Sequence, residues 1–250
     1  MSLHSTQELL EDLKNGKMIL LVDDEDRENE GDLVLAADFV TAKDINFMVT
    51  HARGLVCLAM ASEHINRLKL PLMVSEAHNN SPNKTAFTVS IEAARGVSTG
   101  ISAKDRALTI QIASNPQSSP ADIQIPGHIF PIKAKDGGVL ERAGHTEGSV
   151  DLMKLAGLNS AAVICEVMNE DGSMARLPQL KQFAQKHQLK IGSIADLISF
   201  SPVSKNSSLL HLFPFLFGQV NIAHRASCLP NSSQFLCSFS SSIYTTLWLS

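Results

Sequence analysis

Apolar positions recur in two rhythms over residues 1–200, one helical and one of period two, and the rhythms alternate often. Ser5-Thr6-Gln7-Glu8 has the form of a capping box. Leu9, Leu10 and Leu13 form one apolar stripe behind it and Asn15-Gly16 closes the turn, which predicts a first helix. Apolar runs over 17–22 and 33–37 predict two strands. Thr41 opens a helix carrying Ile45, Met48, Val49 and Ala52, stopped at Gly54; residues 55–60 then read as a strand. Ser62 caps a short helix with Ile65 and Leu68, closed before Pro71. The polar stretch 73–84 contains Asn79-Asn80-Ser81-Pro82 and reads as a loop. In 85–91, Phe87, Val89 and Ile91 alternate with Thr88 and Ser90, the pattern of a half-buried strand.

The second half repeats the theme. Ser102-Ala103-Lys104-Asp105 starts a helix running to Ala113, residues 115–126 read as a long loop, and 129–134 as a short strand. After the turn Asp136-Gly137-Gly138, the segment from Arg142 to Glu147 opens a helix with Val150, Met153, Leu155 and Ala156 that ends at Gly157. A buried strand over 161–168, the turn Asn169-Glu170-Asp171-Gly172, a helix from Pro178, a strand over 189–191 and a helical turn over 194–200 follow. Interleaved strands and helices, with hairpin-like neighbours such as Val139 and Ile132, predict one α/β sandwich domain with a mixed sheet over residues 1–200.

Residues 201–250 differ in kind. They hold twelve serines and two charged side chains, Lys205 and Arg225, and keep neither a helical nor a strand period. They read as an atypical, poorly ordered tail or a non-native extension, outside the domain.

Composition narrows the class. Of 250 residues 44% are hydrophobic and 18% charged, enough for a sizeable core. A net charge of −4 without a basic tract argues against a nucleic-acid partner. No apolar run reaches the roughly 18 residues that span a bilayer, and the first residues lack a secretory pattern. Cys57, Cys165, Cys228 and Cys237 have no CxxC spacing, and the first two sit in apolar runs. The expectation is a cytoplasmic protein.

Chemistry concentrates in four places. From Asp23 to Asp32, seven of ten residues are carboxylates, with Arg27 among them. One reading is a solvated acidic loop. The other takes Gly31 and the flanking strands as a tight turn that fixes oxygen ligands for a hard cation such as Mg²⁺. Pro126-Gly127-His128 puts a lone histidine before an apolar strand, either structural or catalytic. Arg142-Ala143-Gly144-His145-Thr146 reads as an ordinary helix start capped by Thr146, or as an anion site. In the second reading the helix N–H groups, a close-approach glycine and the Arg142 fork hold the anion, and His145 offers a metal nitrogen. Glu166 lies inside an apolar run, between Val163-Ile164-Cys165 and Val167-Met168, and needs a partner, as a salt bridge or as a perturbed acid or base. Together these parts would serve metal-assisted enediol chemistry on a sugar phosphate.

Three of these stretches, from Asp23 to Asp32, from Pro126 to Pro131 and from Arg142 to Glu147, resemble signatures of the 3,4-dihydroxy-2-butanone-4-phosphate synthase family. Phe87-Thr88-Val89-Ser90-Ile91-Glu92, Ser98-Thr99-Gly100-Ile101-Ser102 and Cys165-Glu166 do too, in order, over residues 5–200. The resemblance implies a homodimeric α/β sandwich with Mg²⁺ or Mn²⁺. It would convert D-ribulose 5-phosphate to 3,4-dihydroxy-2-butanone 4-phosphate and formate, for riboflavin biosynthesis. By motif position it implies Glu28 and His145 as metal ligands, and His128 and Glu166 as catalytic residues. Arg27, Glu28, Asp32, Arg142, Ala143, Gly144, His145, Thr146 and Glu166 would hold substrate, near a dimer interface. Glu30 and Cys57 lie in family motifs without an assigned role. Many relatives continue into a GTP cyclohydrolase II domain with a three-cysteine zinc site. Cys228 and Cys237 lie nine apart, so no second activity is expected after residue 200. Rival readings of the same parts are a metal-dependent sugar-phosphate isomerase or aldolase, and a regulatory sugar-phosphate-binding protein.

Overall fold

The structure is a computed structural model that describes residues 2–200; residue 1 and the tail expected over 201–250 lie outside the described residues. Among the described residues, seven strands form one mixed sheet: β1 (Ile19–Val22), β2 (Gly31–Ala36), β3 (Cys57–Met60), β4 (Ile91–Ala93), β5 (Ile123–Lys133), β6 (Ala161–Glu166) and β7 (Lys190–Ser193). Their order is β4-β5-β3-β6-β2-β1-β7. The β1/β7 and β3/β5 pairs are parallel and the remaining pairs antiparallel. Seven α-helices cover it: α1 (Thr6–Lys14), α2 (Ala42–Phe47), α3 (Ser62–Arg67), α4 (Ala103–Ser114), α5 (His145–Ala156), α6 (Leu177–His187) and α7 (Ile194–Phe200).

The central strands are buried on both faces, so they read as continuous apolar runs rather than alternating ones. Their period of two still sorts the side chains. Leu20, Leu33, Leu35, Leu58, Val163 and Cys165 pack with Ile45 of α2, Ile110 of α4 and Leu180 of α6. Leu21, Val34, Cys57 and Ile164 pack with Leu9 of α1, Val150 and Met153 of α5, and Leu197 of α7. The result is the expected α/β sandwich, with helices on both faces of the sheet. Register then carries the sorting to the strand ends. Asp32 pairs across from Glu166 in the β2/β6 ladder. By alternation both share the face of Val34 and Ile164, where the α5 helix packs.

Several local expectations change. Thr85 to Ser90 makes isolated bridges (Leu72 with Thr88, Phe87 with Ile132) instead of a strand, and β4 begins at Ile91. The expected loop before Ile129 is shorter, because β5 starts at Ile123 and carries Pro126-Gly127-His128 within it. Val139 lies in a 3-10 turn, not in a hairpin strand. Ala61, not Ser62, is the N-cap of α3; the Ser62 hydroxyl donates to Asp136 instead. After α2 the chain passes through a π-helical turn, Met48–Ala52, and leaves through Arg53 at φ 70, so Gly54 is not the stop. Gly31 is no turn residue either. It starts β2 opposite Val22, and a Cβ there would come within 2.7 Å of Leu180, so close packing against α6 is what excludes a side chain.

The capping signal at Ser102 is confirmed: its hydroxyl accepts from the Asp105 N–H at 3.0 Å. The Asp105 carboxylate in turn gathers the preceding loop, accepting from the Ser98 hydroxyl at 2.7 Å and the Gly100 N–H at 3.1 Å. The Ser98 hydroxyl is the main cause that holds the Asp105 carboxyl below its ordinary value. A depressed carboxylate stabilises the fold above its unfolded pKa, and the contribution fades as pH falls through the folded value. Asp105→Asn therefore lowers the melting temperature at pH 7, and the gap to wild type narrows as pH drops towards 3. Thermal unfolding across that range checks it; a gap that widens in acid contradicts it.

Candidate active site

The acidic stretch divides into a solvated part and a built part. Asp24, Glu25 and Asp26 are exposed, as the solvated reading expects. Asp23 is different: its side chain is fully buried and staples the loop. One of its oxygens accepts from the Glu28 N–H at 3.0 Å and from Arg27 at 2.9 Å, and the other accepts from the Glu30 N–H at 2.8 Å. The loop turns at Asn29, whose φ of 55 is tolerated by a residue that visits the left-handed region. This fold-back sends Glu28, Glu30 and Asp32 towards the head of α5.

There they line a cleft of about 170 Å³ with Arg27, Thr85, Phe87, Arg142, His145, Thr146 and Glu166. His145 opens α5 behind Gly144, its N-cap residue; Thr146 is inside the first turn, not at the cap. The His145 Nδ1 stands 3.6 Å from a Glu28 oxygen and 3.8 Å from an Asp32 oxygen. Asn83 donates to the other Glu28 oxygen at 2.6 Å, and Arg27 to the first at 2.6 Å. Glu166 accepts from the Leu55 N–H at 2.9 Å, and Gly54 beside it leaves room for that approach, since a Cβ would sit 2.3 Å from the Glu166 carbonyl oxygen.

Charge in the cleft is unbalanced. The His145 imidazole, with Arg27 adding to it against burial, pulls the Glu28 carboxyl down to about 2. Burial pushes Asp32 up to about 7, opposed by His145 and reinforced by Glu166, Glu28 and Glu30. Burial works against a charged His145, but Asp32, Glu28 and Asp23 outweigh it and raise the ring to about 9. Glu30 is raised by burial and by Glu28. Such a cluster fits a cation. Ligand atoms of Asp23, Glu28 and His145 lie within 4.8 Å of one another. A buried Asp32 oxygen and the buried His145 Nε2 have no hydrogen-bond partner. Asp23 is already committed to the loop, which leaves Glu28 and His145 as the pair that can hold a divalent ion. An ion such as Mg²⁺ keeps several of its sites for water or substrate.

The anion side is built differently from the expectation. Gly144 lies between two guanidiniums: a Cβ there would come within 2.4 Å of Arg142 and 2.9 Å of Arg27. Together with the free N–H groups at the start of α5, this is a place for a phosphate. Yet the Arg142 fork is largely engaged. It donates to Glu147 at 2.6 Å, to the Asn83 carbonyl at 3.0 Å and to the Thr85 hydroxyl at 2.9 Å. Ala143 is exposed and adds no side chain to the lining.

His128 is not brought into this cleft. It sits on β5, where its Nδ1 meets Glu92 at 2.6 Å, and Glu92 in turn accepts from the Thr109 hydroxyl at 2.8 Å. The His128 side chain is 43% exposed. Cys57 and Cys165 are free and buried, as expected. Asp23, Asn83, Thr85, Glu92 and Glu147 belong to the site or its supports and had no role in the sequence reading. Asn83 and Thr85 come from a polar loop with no local signal, and Glu147 looked like an ordinary first-turn acid.

Because Glu147 is 1% exposed, removing Arg142 strands a buried carboxylate. Arg142→Met is expected to cost about 3–5 kcal/mol of stability. Adding Glu147→Gln should recover part of it. Chemical denaturation of the two variants checks this; a single variant as stable as wild type would show that the pair is not a strut.

A family model for 3,4-dihydroxy-2-butanone 4-phosphate synthase matches residues 7–200. The synthase of that name from Neisseria meningitidis serogroup B is 59% identical over 203 residues, covering 81% of this chain and 55% of the relative. A crystal structure of a two-domain synthase from A. baumannii is 55% identical, with a TM-score of 0.76 over 79% of this chain and 57% of that one. A synthase crystallised in complex with two magnesium ions is 38% identical, with a TM-score of 0.76 over 82% of this chain and 98% of that one. This chain thus spans about half the length of the curated relatives it matches. Sequence, fold and the acidic loop facing the head of α5 agree: the chain belongs to the 3,4-dihydroxy-2-butanone 4-phosphate synthase family.

Proposed function

We propose that the protein converts D-ribulose 5-phosphate to 3,4-dihydroxy-2-butanone 4-phosphate and formate, a step of riboflavin biosynthesis. The observation that carries the reading is the convergence of Glu28 and His145, 3.6 Å apart, beside an Asp32 oxygen that has no hydrogen-bond partner and the Glu166 carboxylate. A five-carbon ketose phosphate divides into a four-carbon phosphate and formate with atoms balanced and no oxidant or reductant. Glu28 and His145 hold a divalent cation, Mg²⁺ or Mn²⁺. When bound it polarises a carbonyl and a neighbouring hydroxyl, which eases enediol formation. Arg27, the Arg142 strut and the α5 N-terminus hold the phosphate. Glu166, fixed by the Leu55 N–H, takes and returns a proton at carbon or hydroxyl. Asp32 sits close to neutrality and serves as a hydrogen-bond partner to a substrate hydroxyl.

His128 is the second proton carrier, and it works in the cleft of a second subunit. Glu92 holds its Nδ1, so its Nε2 is the nitrogen left for a proton transfer. Two large apolar side chains are exposed on neighbouring stretches: Ile101, next to Gly100, is 54% exposed, and Ile125 on the same strand is 50% exposed. A homodimer that covers this surface would complete both sites. The cytoplasm, where Cys57 and Cys165 stay reduced, suits the reading. No helix among the described residues is long and apolar enough to cross a membrane. The domain is taken to end near residue 200.

Formate release from ribulose 5-phosphate tests the activity, with EDTA abolishing it and Mg²⁺ restoring it. Isomer or aldol products without formate would overturn the reading. His128→Asn and Glu166→Gln should each lower turnover by roughly 10²–10⁴-fold with weaker effects on substrate binding. Mixing Glu28→Gln with His128→Asn subunits then decides where His128 acts. If it serves the partner's cleft, each mixed dimer holds one intact site, and activity returns to roughly a quarter of wild type. No recovery after subunit exchange would place His128 in its own cleft.

A further inference from the structure

Glu28 is held from both ends of its backbone. Its N–H donates to the buried Asp23 carboxylate at 3.0 Å. Its carbonyl accepts from the Arg176 guanidinium at 2.8 Å, and the same nitrogen donates to the Asn29 carbonyl. Arg176 comes from the far end of the chain, 148 residues on, as the residue before α6. Among the described residues it has no carboxylate within ion-pair distance, and the side-chain nitrogen that bonds these carbonyls serves both of them. Its own position is fixed through the strand that ends at Glu166. The Ala175 N–H donates to the Val167 carbonyl at 3.0 Å, and the Val167 N–H to the Gly31 carbonyl at 2.9 Å. Arg176 therefore couples the loop that carries Glu28 to the strand ends that carry Glu166 and Asp32.

We propose that Arg176 is a positioning residue for the cation site, clamping the left-handed turn at Asn29 so that the Glu28 carboxylate faces His145. The proposal rests on the reading that Glu28 and His145 hold the ion. Without the clamp, the Glu28 and Asn29 carbonyls lose the one guanidinium that holds them among the described residues, and more of the ordering of the ligand falls to the ion itself. That ordering appears as weaker metal affinity. Lysine at this position keeps the charge and a nitrogen donor but carries it on a shorter, more flexible stem, so it can replace the clamp only in part.

The test is Mn²⁺ binding to the full chain, read by electron paramagnetic resonance of the free ion, with circular dichroism as the check on folding. Arg176→Met should weaken Mn²⁺ binding by about 10–100-fold. Arg176→Lys should fall between Met and wild type. The loss of turnover should be larger at limiting than at saturating metal, a split that general destabilisation does not give. Wild-type affinity in Arg176→Met, while Glu28→Gln loses the ion, overturns the clamp and leaves the metal site standing. If Arg176→Met does not fold, Arg176→Lys decides, and wild-type affinity there overturns the clamp. If Glu28→Gln itself binds Mn²⁺ like wild type, the ligand reading fails and the clamp fails with it.

Discussion

Crowding of negative charge around one buried imidazole governs this molecule. Glu28, Glu30, Asp32 and Glu166 share a cleft whose guanidiniums are already paired, Arg27 with the buried Asp23 and Arg142 with the buried Glu147, so the His145 imidazole is left to face the cluster. Burial, reinforced by Glu166, Glu28 and Glu30, pushes Asp32 towards neutrality, and Asp32, Glu28 and Asp23 hold His145 charged against its own burial. The fold accepts that cost by spending other groups on order. Asp23 is buried to staple the loop, Asn83 and Arg27 fix the Glu28 carboxylate, and the Leu55 N–H fixes Glu166. A divalent ion resolves the imbalance, and an active site is where such stored strain has a use.

The sheet explains how the cluster is assembled from distant parts. Antiparallel β2 and β6 set Asp32 opposite Glu166, a like-charge pair that register alone would not favour. The period of two turns both towards α5, and the helix start brings His145 and the N–H groups to the same corner. The helix dipole adds positive potential there. Arg142 extends the frame: bound to Glu147, Asn83 and Thr85, it fixes the loop that supplies a Glu28 partner.

Much of this was legible in the chain. The acidic stretch, the stretch from Arg142 to Glu147 and the pair Cys165-Glu166 gave Glu28, Asp32, Arg142, His145 and Glu166, and the strand runs around them located their sheet. The capping boxes at Ser5 and the cap at Ser102 fell where side-chain chemistry put them. Other features escaped because they depend on partners far along the chain. Gly31 looked like a turn, but its lack of a side chain answers to Leu180. Pro126-Gly127-His128 looked like a loop because proline and glycine punctuate sequences, yet pairing holds them within β5. The Arg142 fork looked free, since nothing local announces Glu147 as its mate. The separation of His128 from the cleft is a matter of tertiary placement, which a local motif does not announce.

The central claim is that Glu28 and His145 together bind a divalent cation beside Asp32 and Glu166. Anomalous X-ray diffraction from crystals grown with Mn²⁺ tests it directly, because the ion is located without reference to activity. The account predicts a strong Mn²⁺ peak between the Glu28 carboxylate and the His145 ring, with water or substrate oxygens completing the shell. A peak confined to the exposed Asp24, Glu25 and Asp26, or an empty cleft at saturating Mn²⁺, would contradict it.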